Sequence, residues 1–290
     1  MSLFNCVSIM GVGLIGGSLA LAMRRHGLCK TVVGYSRHEV NLKKALDCGA
    51  IDEYTLDAAL AVKHADLIVM ATPLSAMLEI FRAIHDKLLP GALITDVGSA
   101  KAGVLRAASL AFGRVPDTFV PGHPIAGTEN SGVDAAFAEL FVNRRVVLTP
   151  LPTTSSHAVA KIRTLWEKVG AKVRETSVEH HDELLAATSH LPHVLAYTLV
   201  ELLAGFSEQE AVFDYAAGGF RDFSRIASSD PTMWRDICVD NSHALISIIE
   251  RYETKLHIVK QAIEARDGAK LLEIFTRAKT TRDHHIKNLG

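Results

Sequence analysis

The chain has 290 residues, 48% of them hydrophobic and 22% charged, and a formal net charge of −1 at pH 7. That length predicts about two domains, and the composition is that of a soluble globular protein with ample core. Near-neutrality argues against a nucleic-acid partner, and no apolar run approaches the roughly 18 residues of a membrane span, so no membrane partner is expected either. Strand-like sequence begins almost at Met1, so no signal peptide is expected. Cys6, Cys29, Cys48 and Cys238 are scattered without CxxC spacing, as expected of reduced thiols in a cytoplasmic protein. The 14 histidines include adjacent pairs, His180-His181 and His284-His285, and a spaced pair, His190 and His193. None comes with a Cys or carboxylate at zinc-site spacing, so no metal is expected.

The first apolar run, Cys6-Val7-Ser8-Ile9-Met10, leads into Gly11-Val12-Gly13-Leu14-Ile15-Gly16-Gly17, and a helical pattern follows from Ser18 to Arg25. A strand, a G-x-G-x-x-G turn and a helix N-terminus are the parts of a dinucleotide site. The first glycine permits the tight turn, the second lets the backbone approach a pyrophosphate, and the third lets the helix pack closely on the strand. Gly11, Gly13, Leu14, Ile15 and Gly16 are the candidate cofactor-binding residues of this turn.

Further β-branched apolar runs follow at 31–35, 67–71, 93–97, 118–120 and 145–149, with helical stretches between them. This alternation predicts an α/β fold, a mostly parallel Rossmann-type sheet with helices on both faces. Ligands of such sheets bind beyond the carboxyl ends of the strands. The residues there are the glycine loop, Ser36-Arg37-His38, Thr72-Pro73, Gly98-Ser99-Ala100-Lys101 and Gly122-His123-Pro124. An acidic residue about 20 positions after the glycines usually accepts the ribose hydroxyls of NAD. Ser36 and Arg37 stand there instead, and a hydroxyl beside a guanidinium suits a 2′-phosphate. NADP is therefore favoured over NAD, with NAD kept open by the nearby Glu39.

Residues 150–156 read as a loop, 158–169 as an amphipathic helix and 171–173 as a short strand, which closes a dinucleotide-binding domain of residues 1–177. Beyond it strand signals vanish, and 178–290 reads as an all-α domain. A helix over 182–204 should kink at Pro192, and Gly218-Gly219-Phe220 marks a break. Asp230-Pro231 resembles a helix start, from which one long helix runs through Ile263, and a last helix begins at Asp267. A helical region of about 110 residues with long apolar helices predicts a homodimer formed through it.

His123, beside two glycines and a proline, should be held in a defined loop at the nucleotide edge. Imidazole titrates near neutral pH and can take a proton from a hydroxyl as hydride leaves, so His123 is the candidate catalytic base.

The segments G-V-G-L-I-G-G-S at 11–18, D-V-G-S-A-K at 96–101, G-H-P-I-A-G-T-E at 122–129, S-H-L-P-H at 189–193 and G-G-F-R-D-F-S-R-I-A at 218–227 occur in order, followed by Asp230-Pro231 and Met233-Trp234. Over essentially its whole length the chain resembles the prephenate/arogenate (cyclohexadienyl) dehydrogenase family of tyrosine biosynthesis. Ala100 departs from it, standing where the family often has Val. The resemblance implies an oxidative decarboxylation: hydride leaves C4 of a cyclohexadienol for the nicotinamide, the ring carboxylate departs as CO₂, and aromatisation drives the reaction. It implies that His123 takes the proton of the C4 hydroxyl while Ser99 helps orient that hydroxyl. It also implies that Arg225 binds a substrate carboxylate, that His190 assists substrate binding, and that Glu129 holds a polar or gating position.

Simpler roles stand beside these. Ser99 could be the N-cap of the helix from Lys101, and Lys101 a solvated helix-start residue. Arg225 could pair with Asp222 or Asp230, His193 could be a packed histidine, and Trp234 a core or interface residue. The alternative functions are a Rossmann dehydrogenase acting on a β-hydroxy acid or an imine, and a non-catalytic dinucleotide sensor. The first commonly uses a lysine in its helical domain, and the segment from Ser189 to Trp234 contains none. The second would not require His123 and Arg225 together.

Overall fold

The structure is a computed structural model that describes residues 2–128, 130–207 and 209–286. The chain divides into two compact units, residues 1–242 and residues 243–290.

In the first unit, β1 (Phe4–Met10), β2 (Cys29–Tyr35), β3 (Glu53–Thr55), β4 (Leu67–Met70), β5 (Leu93–Asp96) and β6 (Phe119–Val120) form an all-parallel sheet in the order β3-β2-β1-β4-β5-β6. Side chains alternate across a strand, so a strand covered on both faces reads as an unbroken apolar run. Val7, Ile9, Leu67 and Val69 enter one core with α1 (Leu14–Arg25), α2 (Glu39–Asp47) and α6 (Ser156–Lys168). Ile68, Met70, Ile94 and Phe119 enter the other with α3 (Ala58–Val62), α4 (Met77–Ile84) and α5 (Lys101–Phe112). This is the doubly wound Rossmann-type fold expected from the alternation. The register sets Met10 opposite Tyr35 and Met70, and Met70 opposite Asp96. The loops after these strands therefore open on one edge.

Two expectations are corrected here. The run at 145–149 does not join the parallel sheet. It is β8 (Arg145–Leu148), central in a separate sheet between β7 (Gly122–Ile125), antiparallel to it, and β9 (Lys172–Glu175), parallel to it. His123 accordingly lies on strand β7, opposite Val147, rather than in a loop. After β6 the chain turns at Pro121, whose carbonyl accepts the Thr149 amide, while the Gly122 amide donates to Asp96. Pro124 has no N–H, which is harmless on an edge strand.

The helical region begins with α7 (Val178–Leu185), capped by the Ser177 hydroxyl, which accepts the His180 amide at 3.2 Å. A π-helical turn, Ala186–His190, joins it to α8 (Leu191–Ala204). The sequence predicts a kink at Pro192; what the structure shows is this π-helical turn just before the proline, which brings no amide for the preceding carbonyls. Next come α9 (Gln209–Asp214) and α10 (Gly218–Ser224). Gly218 and Gly219 are the first turn of α10, so the break falls before them. A 3₁₀ turn, Arg225–Ser228, precedes α11 (Pro231–Asp240). Asp230 is the expected N-cap of α11, accepting the amides of Thr232 and Met233 at 2.7 and 3.2 Å.

The single long helix expected from here is divided at Asn241, whose backbone (φ −104°, ψ 29°) leaves the helical region between α11 and α12 (Ser242–Glu264). In the second unit, α13 (Gly268–Ile286) is capped by Asp267, which accepts the Lys270 amide at 2.8 Å. Among the described residues no helix is long and apolar enough to cross a membrane.

Candidate active site

The turn between β1 and α1 is built for close approach. Gly11 has φ 104°, and a Cβ there would lie 2.6 Å from the carbonyl oxygen of Ala71. A Cβ on Gly16 would lie 2.3 Å from the carbonyl oxygen of Gly11, whereas one on Gly13 would meet nothing within 4 Å. Two glycines thus serve packing and the third leaves the backbone open where α1 begins. Gly13 is the N-cap of α1 and offers no side-chain acceptor, and Leu14 and Ile15 form the first turn. Thr72, beside Pro73 on the adjoining loop, holds its hydroxyl buried without a hydrogen-bond partner. An uncapped helix N-terminus, an open backbone and an orphaned hydroxyl on one sheet edge fit a dinucleotide phosphate.

Ser36 and Arg37 follow β2 on the same edge. The Ser36 hydroxyl accepts the His38 amide at 3.2 Å, and Arg37 is exposed. Glu39 is occupied elsewhere, with Lys43 at 3.1 Å and the Tyr54 hydroxyl at 3.0 Å.

His123 is buried and heads a chain of hydrogen bonds that its own motif does not reveal. Its Nδ1 lies 2.9 Å from Nε2 of His181, and Nδ1 of His181 lies 2.7 Å from Oδ1 of Asp182. The Asp182 carboxylate also accepts the amides of Lys101 and Ala102, both at 2.9 Å, and so caps α5 from a distant segment. Burial works against this carboxylate, but the bonds from His181 and the two amides outweigh it and hold its pKa below the ordinary value. An ionised carboxylate only accepts, so His181 Nδ1 carries the proton. When Nδ1 holds the only ring proton of His181, its Nε2 accepts, His123 donates from Nδ1, and His123 Nε2 is left with its lone pair free to take a proton. Burial first, then the Lys101 cation and His181 and His190, push the His123 pKa well below its usual range.

Lys101 is not the solvated helix-start residue expected from the sequence. It is wholly buried, paired with Asp96, and its Nζ donates to the Gly122 carbonyl at 2.6 Å. Asp96 also accepts the amides of Gly98 and Gly122, at 2.8 and 3.1 Å. Ser99 does not cap α5, because Ala100 holds that position and Asp182 supplies the acceptor. Ser99 sits half-buried between Asp96 and Lys101 in the chain.

A cleft of about 480 Å³ is lined by Gly127, Thr128, His193, Arg225, Ser228 and Ser229. Arg225 is exposed on the 3₁₀ turn at its wall. His193 is half-buried, lies flat on Trp234 at 3.6 Å between ring centroids, and bonds through Nδ1 to the Ser189 carbonyl at 2.9 Å. His190 sits at the end of the π turn, 1% exposed, and burial pushes its pKa down to about 4. Asn241 reaches its Nδ1 at 3.1 Å. Glu129 lies outside the described residues.

His181, Asp182, Lys101, Asp96 and Asn241 are the participants that motif reading passed over. Lys101 and Asp96 stand inside the D-V-G-S-A-K segment, and an Asp five residues before a Lys at a strand end was the available signal. His181 gave none, since adjacent histidines on a helix diverge.

Two family models cover most of the chain. Residues 19–175 match the nucleotide-binding domain of prephenate dehydrogenase, and residues 177–277 match its dimerization domain. The chain is 38% identical to a cyclohexadienyl dehydrogenase of Zymomonas mobilis, over 99% of this chain and all of that one. It is 36% identical to a prephenate dehydrogenase of Bacillus subtilis, over 96% of this chain and 76% of that one. A crystal structure of Aquifex aeolicus prephenate dehydrogenase, in complex with hydroxyphenyl propionate and NAD⁺, superposes with a TM-score of 0.91 at 36% identity. That match covers 97% of this chain and 98% of that one.

Proposed function

This chain belongs to the prephenate dehydrogenase family, and from that premise we propose that it catalyses the NAD(P)-dependent oxidative decarboxylation of prephenate, arogenate or both, to 4-hydroxyphenylpyruvate and tyrosine respectively. The observation that carries the reading is the His123–His181–Asp182 chain, which leaves a basic nitrogen on a buried imidazole at the nucleotide edge. The nicotinamide, when bound, supplies the hydride acceptor. His123 Nε2 accepts first a hydrogen bond and then the proton from the C4 hydroxyl. As hydride leaves C4, the bond to the ring carboxylate breaks, its electron pair aromatises the ring, CO₂ is released, and the proton held on His123 returns to the phenolate oxygen. Ser99 orients the hydroxyl, and His190 and Glu129 assist substrate binding. Arg225, on the cleft wall, takes a substrate carboxylate, because a guanidinium matches a planar anion at two points.

Gly11, Gly13, Leu14, Ile15, Gly16, Thr72 and Pro73 hold the dinucleotide. NADP is favoured over NAD: Ser36 and the exposed Arg37 suit a 2′-phosphate, and the carboxylate of Glu39 is engaged by Lys43 and Tyr54. Residues 1–177 serve the nucleotide and 178–290 serve substrate binding and dimerisation. A homodimer is supported by apolar side chains exposed on α12 and α13, among them Ile246, Leu256, Ile263, Leu272 and Phe275. Four free thiols accord with a cytoplasmic protein. The deciding experiment offers prephenate and arogenate, each with NAD⁺ and NADP⁺, and follows reduced nicotinamide by absorbance together with CO₂ release. Turnover with at least one pair is expected, and silence in all four overturns the assignment.

A further inference from the structure

His123 and His190 are both buried imidazoles, yet their Nδ1 atoms face opposite chemistry. His123 Nδ1 meets His181 Nε2, at 2.9 Å, an acceptor when the His181 proton is held on Nδ1 by Asp182. His190 Nδ1 meets the side-chain amide nitrogen of Asn241, at 3.1 Å. Which end of the Asn241 amide points that way is decided by a third contact: the same Nδ2 lies 2.8 Å from the main-chain carbonyl of Asp182. A carbonyl only accepts, so the NH₂ group, and not the oxygen, must face it. One Nδ2 hydrogen goes to Asp182 and the other to His190. His190 Nδ1 is therefore an acceptor, and its proton sits on Nε2. That nitrogen is buried and has no hydrogen-bond partner. His190 lies three residues before His193, which lines the cleft.

We propose that Asn241 is a positioning residue that holds His190 in the Nε2–H tautomer, so that His190 offers a neutral donor to a substrate oxygen while His123 offers an acceptor. Residue 182 is the junction of both devices. Its carboxylate sets His181, and through it His123; its carbonyl sets Asn241, and through it His190. One helical segment thus gives two nearby histidines opposite tautomers, one able to take a proton and one able to give a hydrogen bond. Asn241 also accounts for the division of the helix expected to run unbroken from Asp230. Its non-helical backbone brings an amide to a place that a continuous helix would fill with a helical residue.

The substrate side of this inference rests on the dehydrogenase reading, but the tautomers can be read without it. In the protein labelled with ¹⁵N-histidine, long-range proton–nitrogen spectra distinguish the two neutral tautomers. His190→Gln, which removes the ring, identifies its signals. The expected result is a protonated Nε2 and a bare Nδ1 on His190. A protonated Nδ1 there overturns the inference even if the enzyme turns over prephenate, whereas failure of turnover with the expected tautomer overturns only the functional reading.

Kinetics gives the second arm. Asn241→Asp presents a carboxylate to His190 Nδ1 and draws the proton there, so KM should rise about tenfold for the lost donor. His190→Asn, which cannot reach the Nε2 position, should do the same, and His190→Gln, which can place an amide near it, should recover part of the loss. In the His190→Asn background, Asn241→Asp should add no further change in KM. An undiminished effect in that background would make Asn241 a merely structural residue of the α11–α12 turn.

Discussion

Lys101 places its ammonium 2.6 Å from the carbonyl oxygen of Gly122, so a wholly buried cation is anchored one residue from His123. Asp96 is its counter-ion. Removing one partner of a buried pair strands the other charge in a medium that solvates it poorly. Lys101→Met should therefore cost about 3–5 kcal/mol of stability. Lys101→Met combined with Asp96→Asn should cost less than the two single changes added together. Urea unfolding of the three variants checks this, and simple additivity would show that the pair is not coupled.

His123→Asn should leave nucleotide affinity intact and lower turnover by about 10²–10⁴, the usual contribution of a positioned general base. The hydrogen-bond chain adds a sharper expectation. His181→Phe removes the acceptor of His123 Nδ1 and should lower kcat while leaving the nucleotide dissociation constant unchanged. Asp182→Asn should lower kcat and also lower Tm, because it weakens the cap of α5 as well as the tautomer chain. Near wild-type turnover in His123→Asn would remove it as the base.

Both buried histidines bear on pH. His123 must be unprotonated to act, and its pKa is pushed below 6.5 by burial and by Lys101. The acidic limb of kcat/KM should then fall below the ordinary histidine range. Stability follows the same sign. The His190 pKa drops from 6.5 to about 4 on folding. Below 6.5 the unfolded chain therefore binds the proton that the folded chain refuses. Stability from this group is complete above about pH 6.5 and is lost as pH falls toward the folded value, in all by about 3 kcal/mol. Unfolding midpoints across this range, wild type against His190→Gln, measure it. The wild type should lose stability more steeply, and parallel curves would contradict the depressed value.

Arg225→Ala should raise KM strongly, by about 2–5 kcal/mol of binding free energy if a desolvated substrate carboxylate is left unpaired. Nucleotide affinity and Tm should barely move, since Arg225 is exposed on the cleft wall. A lowered Tm with an unchanged KM would instead mark it as structural.

Arg37→Ala should weaken NADP⁺ by about 1.5–3 kcal/mol, the worth of a charge-assisted hydrogen bond, and leave NAD⁺ nearly unaffected. Titration of both nucleotides against wild type and variant decides it. Equal weakening of the two would mean that Arg37 does not read the 2′-position.

The doubly wound sheet and its nucleotide edge were legible in the residues alone, because they rest on local rules: apolar runs buried on both faces, glycines where a Cβ would collide, and Asp230 before Pro231 as a cap. Whatever depended on segments far apart in the chain was not. Residues 145–149 look like any buried strand, and only their pairing with Gly122–Ile125 and Lys172–Glu175 assigns them to a second sheet. Lys101 reads as a helix-start lysine until Asp96 and the Gly122 carbonyl close around it. His123 is marked as chemical by its glycines and proline, but the state of its proton comes from His181 and Asp182, some 58 residues on. Sequence determined which groups this protein has and the elements that carry them. Tertiary structure decided which nitrogen holds the proton and which charges are buried together, because those depend on a partner's donors and acceptors brought within hydrogen-bonding distance, and no local pattern of residues encodes that.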